Sequence, residues 1–475
     1  MAVLAGFIVP HPPLIIPQIG NGKEASIQST IDAYHQIARE IAELKPDTIV
    51  LTSPHSELYS DYFHISPGKG AKGDFAQFGC KQVSVSVDYD EEFVAALEEM
   101  AWKETLPAGV VGERRKELDH GTMIPLYFIN QYYSNYKLVR IGISGEPATK
   151  HYQLGMCVQR VANEQDKRVV FVASGDLSHK LKEEGPYGYK KEGPAFDEQV
   201  TKAMARGDFL TFLQFKQPLR EAAAECGLGS FQIMAGAFDQ IEFLPKLLTY
   251  EGPFGVGYAV ASFYPKYSYH EKYVKDVPLV MPSVLAIYNE MEEKRLEELK
   301  RYEDAYVKVA RASVEHYIKG NPILTEDELK NMDLPSEMVE KTAGVFVSIK
   351  KNGRLRGCIG TIAPTQASIA MEVVCNAVSA CAHDTRFEPV TENELQDLEY
   401  SVDVLSPPEM INSLGQLDVK KYGVIVTKGF RRGLLLPNLE GVTTVEEQVG
   451  IAKDKAGLSR DSNVDLQRFE VVRHK

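Results

Sequence analysis

Val9-Pro10-His11-Pro12-Pro13 ends the first apolar run of the chain, Leu4 to Val9, which is predicted to be a buried β-strand. Proline fixes the backbone φ angle and has no amide hydrogen for a sheet, so the strand stops here and His11 lies on a stiff corner. Open α/β sheets bind their ligands at the carboxyl ends of strands. The position of His11 therefore predicts a functional residue at such an edge.

Two later strands lead to a histidine in the same way. The run from Thr48 to Thr52 continues through Ser53-Pro54 to His55, and the run from Val169 to Ala173 continues through Ser174-Gly175-Asp176-Leu177-Ser178 to His179. Between the first two strands, apolar residues at helical spacing predict a helix. The strand–helix–strand order is typical of a parallel sheet, so we expect these strand ends to share one edge.

The chain divides into two parts by its patterns. Residues 1–265 alternate strands with helices, which predicts an α/β domain with a mostly parallel sheet. Within it, Gly68 to Gly79 is predicted to be a glycine-rich surface loop. Residues 266–285 are interpreted as a linker, because 266–282 are rich in Tyr, Lys and Pro. Residues 286–475 are predicted to be a smaller α+β domain with an antiparallel sheet, beginning with one long charged helix from Ala286 to Tyr317.

Composition limits the function. The 475 residues carry a net charge of −13, which argues against broad binding to nucleic acids or anionic membranes. No apolar run is long enough to span a bilayer, and the prolines of the first run argue against a signal peptide. The six cysteines include no Cys-x-x-Cys pair, which favours reduced thiols and a cytoplasmic protein.

Four histidines share a context beside Pro, Gly or Ser in turns at the ends of apolar elements: His11, His55, His120 and His179. One such histidine is more often structural, but four at one end of a sheet favour a metal site, since neutral imidazole is a common metal ligand. His11 and His55 are the candidate ligands, and a divalent ion calls for an anionic third. Candidates for that third ligand are Glu57, Asp176, Glu225 and Cys226.

Two of these candidates have a distinctive setting. Asp176 and His179 can point into one cleft from the turn that contains both. The predicted helix over 222–238 opens at Cys226-Gly227-Leu228-Gly229, where the helix dipole favours a thiolate. The alternative for Cys226 is a small buried residue at a tightly packed helix start.

The motifs Pro10-His11-Pro12-Pro13, Ser53-Pro54-His55-Ser56-Glu57, Asp119-His120-Gly121 and Ser174 to His179 together resemble the class III extradiol ring-cleavage dioxygenases of the catalytic B-subunit type. The resemblance covers about residues 1–265. It implies that His11 and His55 bind Fe(II), that His179 is the catalytic base, and that His120 is a second pocket histidine; Asp176 completes the expected catalytic set. It also implies a small-molecule substrate, such as a catechol.

The chain differs from this family at the third ligand. A glutamate is expected there, whereas this sequence has Glu225-Cys226-Gly227-Leu228-Gly229, which is similar to a Memo-like branch with aspartate and cysteine beside the histidines. A thiolate favours softer metals, so zinc and copper are alternatives to iron. Two functions stay open: an Fe(II)-dependent oxidoreductase, and a metal-binding component of a radical-SAM-associated modification system without ring cleavage.

The second part carries its own motifs, Leu355-Arg356-Gly357-Cys358-Ile359-Gly360 and Ala382-His383-Asp384-Thr385-Arg386. They resemble the AMMECR1 domain over about 286–475. Arg356, Cys358, His383, Asp384 and Arg386 are expected to line a cleft for an anionic or amide-bearing ligand, with Cys358 and His383 as a conceivable nucleophile and partner. The fusion resembles the AmmeMemoRadiSam proteins, which implies a radical-SAM partner protein. Whether the chain forms a homo-oligomer stays open.

Overall fold

The computed structural model describes residues 2–266, 281–439 and 441–475. The chain forms two compact units, unit 1 from Met1 to Met291 and unit 2 from Glu292 to Lys475. The linker predicted at 266–285 lies largely outside the described residues. Among the helices that are described, none has the length and apolar character needed to cross a membrane.

Unit 1 is built on one six-stranded sheet. From edge to edge its strands are Lys137–Gly142, Thr48–Ser53, Val169–Ser174, Val3–Val9, Tyr258–Pro265 and Phe243–Glu251. The first four are parallel, and the last two are antiparallel to their neighbours. The predicted α/β fold with a mostly parallel sheet is confirmed.

Helices cover both faces of this sheet, so its parallel strands are buried along nearly their whole length. Phe7 and Leu51 face one core, whereas Ile8 and Val50 face the other, as the two-residue period of a strand requires. The helices of unit 1 are Pro17–Gly20, Gln28–Leu44, Glu91–Lys103, His120–Ile129, Ala148–Glu164, Glu192–Arg206, Phe209–Gln214, Gln217–Ala223 and Leu228–Gly236.

Half of the glycine-rich stretch predicted to be a loop, Gly68 to Gly79, is a strand, and Ala76–Phe78 is a short 3-10 helix. Gly70–Phe75 pairs antiparallel with Cys80–Asp88, and a second small pair joins Phe63–His64 to Ala108–Gly109. At Gly73 an added Cβ would lie 2.6 Å from the carbonyl oxygen of Leu118. The glycine there allows two backbones to approach closely. Because the strand pairing covers Gly70–Phe75, the prediction of a loop over the whole stretch was wrong.

Unit 2 contains an antiparallel sheet, as predicted. Its strands in order are Arg354–Gly360, Val345–Lys351, Leu398–Leu405, Asp465–His474, Tyr422–Lys428 and Arg431–Leu435, with Glu409–Ile411 also paired to Asp465–His474. Its shorter helices are Glu326–Leu329, Ser336–Glu340, Ile369–Ala382 and Val445–Lys455. Helix Ile369–Ala382 packs on one face of the sheet, where Val347 and Ile349 belong to the same apolar cluster as Val373 and Ala377.

The single long helix predicted from Ala286 to Tyr317 is two helices, Val284–Tyr302 and Ala305–Ile318. The carboxylate of Asp304 accepts hydrogen bonds from the main-chain N–H groups of Tyr306 and Val307. An aspartate in this position starts a new helix because it satisfies N–H groups that have no partner within the helix. The charged pattern therefore identified the helical segment but not its break.

Candidate metal centre

The candidate site lies where three neighbouring parallel strands of unit 1 end. Thr48–Ser53, Val169–Ser174 and Val3–Val9 are adjacent in that order, so the residues that follow them meet at one edge. His55 follows the first strand, Asp176 and His179 the second, and His11 the third. The structure thus places the three strand-end histidines at a common edge.

Cys226 reaches this edge through a close contact between two turns. An added Cβ on Gly175 would lie 2.1 Å from the Cα atom of Gly227, so the two backbones touch directly. The N–H of Cys226 donates to the carbonyl oxygen of Asp176 at 3.4 Å. The helix predicted over 222–238 is interrupted at this point, with Ala224 in the left-handed conformation after Gln217–Ala223. The interruption is what turns Cys226 towards the strand ends.

Three possible ligand atoms come together here. The Nε2 atoms of His11 and His55 are 3.0 Å apart, and the Sγ atom of Cys226 lies 3.6 Å from Nε2 of His11. All three lie within 4.8 Å of one another. Nitrogen ligands about 2.1 Å and sulfur ligands about 2.3 Å from a metal ion are separated from each other by roughly 3.0–3.6 Å. The closest spacings therefore fit a single metal ion.

Hydrogen bonding fixes the protonation of the His11 ring. Its Nδ1 atom lies 2.9 Å from the hydroxyl oxygen of Ser174, and that hydroxyl donates its own hydrogen to the carbonyl oxygen of Gly121 at 2.6 Å. Ser174 must then accept a hydrogen bond from Nδ1–H of His11. Consequently Nε2 of His11 carries no hydrogen and directs its lone pair at the cluster, as a metal ligand requires.

Burial keeps the cluster neutral in the absence of a cation. The pKa of His11 is well below its ordinary value because of burial, with further repulsion from His55 and His120. The pKa of His55 is lowered by desolvation. Desolvation also raises the pKa of the Cys226 thiol well above its ordinary value. A bound divalent cation would favour the thiolate, and binding would then release its proton.

Two further histidines flank the three-residue cluster. The ring of His120 lies 4.2 Å from that of His55 between centroids, and desolvation lowers its pKa to about 4, so it is neutral at pH 7. The Nδ1 atom of His179 lies 2.6 Å from the carbonyl oxygen of Ala224, which can only accept. Nδ1 of His179 therefore carries the hydrogen, which leaves Nε2 free to take up a proton.

The predicted carboxylates occupy different positions. Asp176 accepts a hydrogen bond from the main-chain N–H of His11 at 2.8 Å, and its second oxygen is 4.0 Å from Nε2 of His11. Burial raises the pKa of Asp176 to about 7. Glu225 lies outside the three-residue cluster: one oxygen is 2.7 Å from Arg220, and the other accepts from the N–H of Leu228. Its ligand role stays a prediction without a contact to support it.

A cavity of about 910 Å³ adjoins the cluster, with His55 and His120 in its wall. Sequence reasoning missed most of its lining, which comes from the strand pair Gly70–Phe75 and Cys80–Asp88 and from residues 114–120. The run Arg114-Arg115-Lys116 was the available signal, because a compact basic run is a recognisable binding feature. The cationic residues in the wall are Lys72, Lys81, Arg114, Arg115 and Arg140.

The families that the sequence matches agree with the division of the chain into two parts. Residues 5–261 match the family described as the catalytic LigB subunit of aromatic ring-opening dioxygenase, and residues 307–474 match AMMECR1. A protein of Clostridium acetobutylicum is 38% identical over 482 residues and covers 100% of both chains. A protein of Thermotoga maritima is 49% identical over 175 residues, which cover 36% of this chain and 98% of the relative. An uncharacterized protein of Pyrococcus horikoshii with a crystal structure is 30% identical, with a TM-score of 0.33, over 35% of this chain and 88% of that one.

Proposed function

We propose that unit 1 is a metal-dependent oxidoreductase that acts on a catechol-like compound, because the chain belongs to the LigB family of catalytic subunits of aromatic ring-opening dioxygenases. The observation that carries the proposal is the convergence of His11, His55 and Cys226 at the strand ends, with ligand atoms at metal-binding separations. We assign these three residues as ligands of one divalent ion, with Fe(II) as the ion for oxidative chemistry.

When bound, Fe(II) supplies a Lewis acid for substrate oxygens and a site for dioxygen. The protein contributes proton handling around it. Nε2 of His179 is free of hydrogen and is the acceptor for a substrate hydroxyl proton, while the carbonyl oxygen of Ala224 holds its ring in that state. His120 is neutral and faces His55, so it is suited to donate a hydrogen bond to a substrate or dioxygen oxygen.

The adjoining cavity suggests an additional anionic group on the substrate. The wall contains five cationic side chains and the four carboxylates of Glu57, Asp74, Glu117 and Asp119. Glu57 accepts hydrogen bonds from the main-chain N–H groups of Arg114 and Arg115, at 2.9 and 2.6 Å. The cavity wall also contains the exposed side chains of Lys72 and Lys81. A catechol that carries a carboxylate would bring opposite charge to these cations.

The test is oxygen consumption by protein purified without oxygen and loaded with one equivalent of Fe(II). Addition of 3,4-dihydroxybenzoate in air should produce oxygen uptake and a new absorption band of the ring-opened product. His179→Gln should lower the rate at least 100-fold with Fe(II) still bound, because a general base contributes about 10²–10⁴-fold. His35→Gln is the matched control, since His35 lies in the helix Gln28–Leu44 and contacts Tyr132 rather than the cluster.

A second candidate follows from the third ligand. A thiolate prefers softer metals than a carboxylate does. With Cys226 as the third ligand, the site therefore also suits a second function, in which the protein is a metal-binding component of a modification system and performs no ring cleavage. Stoichiometric metal binding without oxygen uptake for any catechol, together with co-purification of a radical-SAM protein, would support this candidate over the first. If the His11→Ala and His55→Ala variants both retain full metal binding, both candidate functions are contradicted.

A further inference from the structure

A second group of reactive side chains lies in unit 2, on the sheet face opposite to helix Ile369–Ala382. Gly357 faces that helix, because an added Cβ there would lie 2.1 Å from the carbonyl oxygen of Ala380. Side chains alternate along a strand, so the neighbouring Cys358 points to the other face. There it pairs across strands with Ser348, whose hydroxyl donates to the Cys358 sulfur at 3.3 Å.

Arg386 is fastened beside Cys358 at the edge of the sheet. The main-chain N–H of Cys358 donates to a carboxylate oxygen of Asp384 at 2.9 Å, and its carbonyl oxygen accepts from Nη2 of Arg386 at 3.1 Å. Asp384 also binds the Nε of Arg386 at 2.9 Å. These two side chains thus take the place of a neighbouring strand and hold a guanidinium next to the cysteine.

A second guanidinium lies on the same face. Arg473 is directly opposite Asp403 in the ladder and binds it through two hydrogen bonds of 2.7 and 2.8 Å. Asp403 in turn is paired with Phe346, which lies two residues before Ser348 on the same strand. The row of Arg473, Asp403 and Phe346 therefore lies next to the row of Ser348 and Cys358, on the same face. The ring of Phe346 lies over Gly360, where an added Cβ would be 2.2 Å from it.

The two arginines present positive charge outwards. The side chains of Asp384 and Asp403 are each 4% exposed, whereas those of Arg386 and Arg473 are 55% and 39% exposed. Within the described residues, the hydrogen bonds of both guanidiniums are made by Nε and Nη2, so the Nη1 donors stay available. The hydrogen bonds to the aspartates raise the pKa of each arginine, so both guanidiniums stay charged.

We propose that Cys358 is the nucleophile of a second site, in unit 2, which takes small electrophiles that carry a carboxylate, with Arg386 and Arg473 binding the carboxylate and Ser348 orienting the sulfur. A guanidinium with free N–H donors suits a carboxylate. The partner of the thiol is Ser348, whereas His383, the partner considered from the sequence, is exposed at the end of its helix. Arg356, on the same strand, has its guanidinium bound to Glu394.

The test compares two alkylating probes on the intact chain, the anion iodoacetate and the neutral iodoacetamide. In both reactions the Cys358 thiolate forms a C–S bond, the C–I bond breaks, iodide leaves with the bonding electrons, and the thiol proton goes to solvent. The ratio of the two rate constants at one cysteine cancels its thiolate fraction and reports only on the charge of the probe. The rates are measured by mass spectrometry of the peptides that contain Cys358 and Cys375.

We expect the ratio of the iodoacetate to the iodoacetamide rate constant to be about tenfold higher at Cys358 than at half-buried Cys375. Each of the two partly exposed arginine charges contributes about threefold to this difference. Arg386→Gln and Arg473→Gln should each lower the ratio about threefold, and Arg356→Gln should leave it unchanged. In the unsubstituted protein, raising KCl from 20 to 500 mM should lower the ratio, because salt screens exposed charges. The salt dependence is measured on the unsubstituted protein, so it tests the proposal even if a variant does not fold. A ratio at Cys358 that equals that at Cys375, or that does not respond to salt, overturns the proposal.

Discussion

Replacement of Ser174 by alanine tests how the metal ligands of unit 1 are oriented. Ser174 accepts from Nδ1–H of His11 at 2.9 Å and donates to the carbonyl oxygen of Gly121 at 2.6 Å. Its loss leaves both buried groups without a partner and lets Nε2 of His11 take the hydrogen instead. Partners of this kind contribute about 10–100-fold to metal affinity, or roughly 1.4–2.8 kcal/mol. The metal-free protein should also lose about 2–4 kcal/mol of stability.

The affinity is measured by titration with Co(II), whose absorption reports a bound thiolate, and by competition with a chelator for Zn(II). Thr52→Val is the matched control. Thr52 lies near the end of the adjacent strand, is equally buried, and has a hydroxyl without a hydrogen-bond partner among the described residues. If Ser174→Ala binds both metals within twofold of the Thr52→Val variant, the assignment of the His11 tautomer is refuted.

Three further predictions concern the ligand set, pH and domain independence. Cys226→Ser should weaken Zn(II) binding more than Mn(II) binding in parallel titrations, because a thiolate prefers soft metals, whereas Glu225→Gln should change the thermal stability more than either affinity. Burial raises the pKa of Asp197 to about 7, so the folded chain holds this proton more tightly than the unfolded chain; the resulting stability is complete below about pH 4 and is lost as the pH rises through 7. Denaturant unfolding of Asp197→Asn from pH 4 to 8 should therefore show a smaller decline than the parent, and an identical decline would contradict the shift. Fragments 1–265 and 286–475 should each unfold cooperatively in calorimetry, and insolubility of both would argue against these boundaries.

The strand ends and the histidines were readable from the sequence for a simple reason. A strand that is apolar at every position and stops at proline can only be a buried central strand, so the place of His11 follows from local residues. The same reasoning applied to His55, which follows Pro54, whereas the strand before His179 ends without a proline. These positions depend on backbone geometry that a short stretch determines by itself.

The hydrogen bonds that set the tautomers of His11 and His179 could not be predicted, because each joins distant parts of the chain. Ser174 binds both His11 and Gly121, which are 163 and 53 residues away. The carbonyl oxygen of Ala224 sets the tautomer of His179 only because a helix ends there in a left-handed residue. Neither partner is a type of residue that marks a site: one is a common serine, and the other contributes only its backbone.

Within the proposed metal site, the start of a helix favours Cys226 over Glu225 as the third ligand. The sequence offered both residues side by side, and a carboxylate is the more usual companion of two histidines around iron. In the folded chain, Glu225 satisfies the free N–H of Leu228 at the beginning of the next helix and pairs with Arg220, so both its oxygens are engaged. Moving Glu225 to a metal ion would break its ion pair with partly exposed Arg220 and leave the N–H of buried Leu228 without a partner, the latter at a cost of about 1–3 kcal/mol. Cys226 needs no such rearrangement, because the contact of Gly175 with Gly227 already places its sulfur at 3.6 Å from His11.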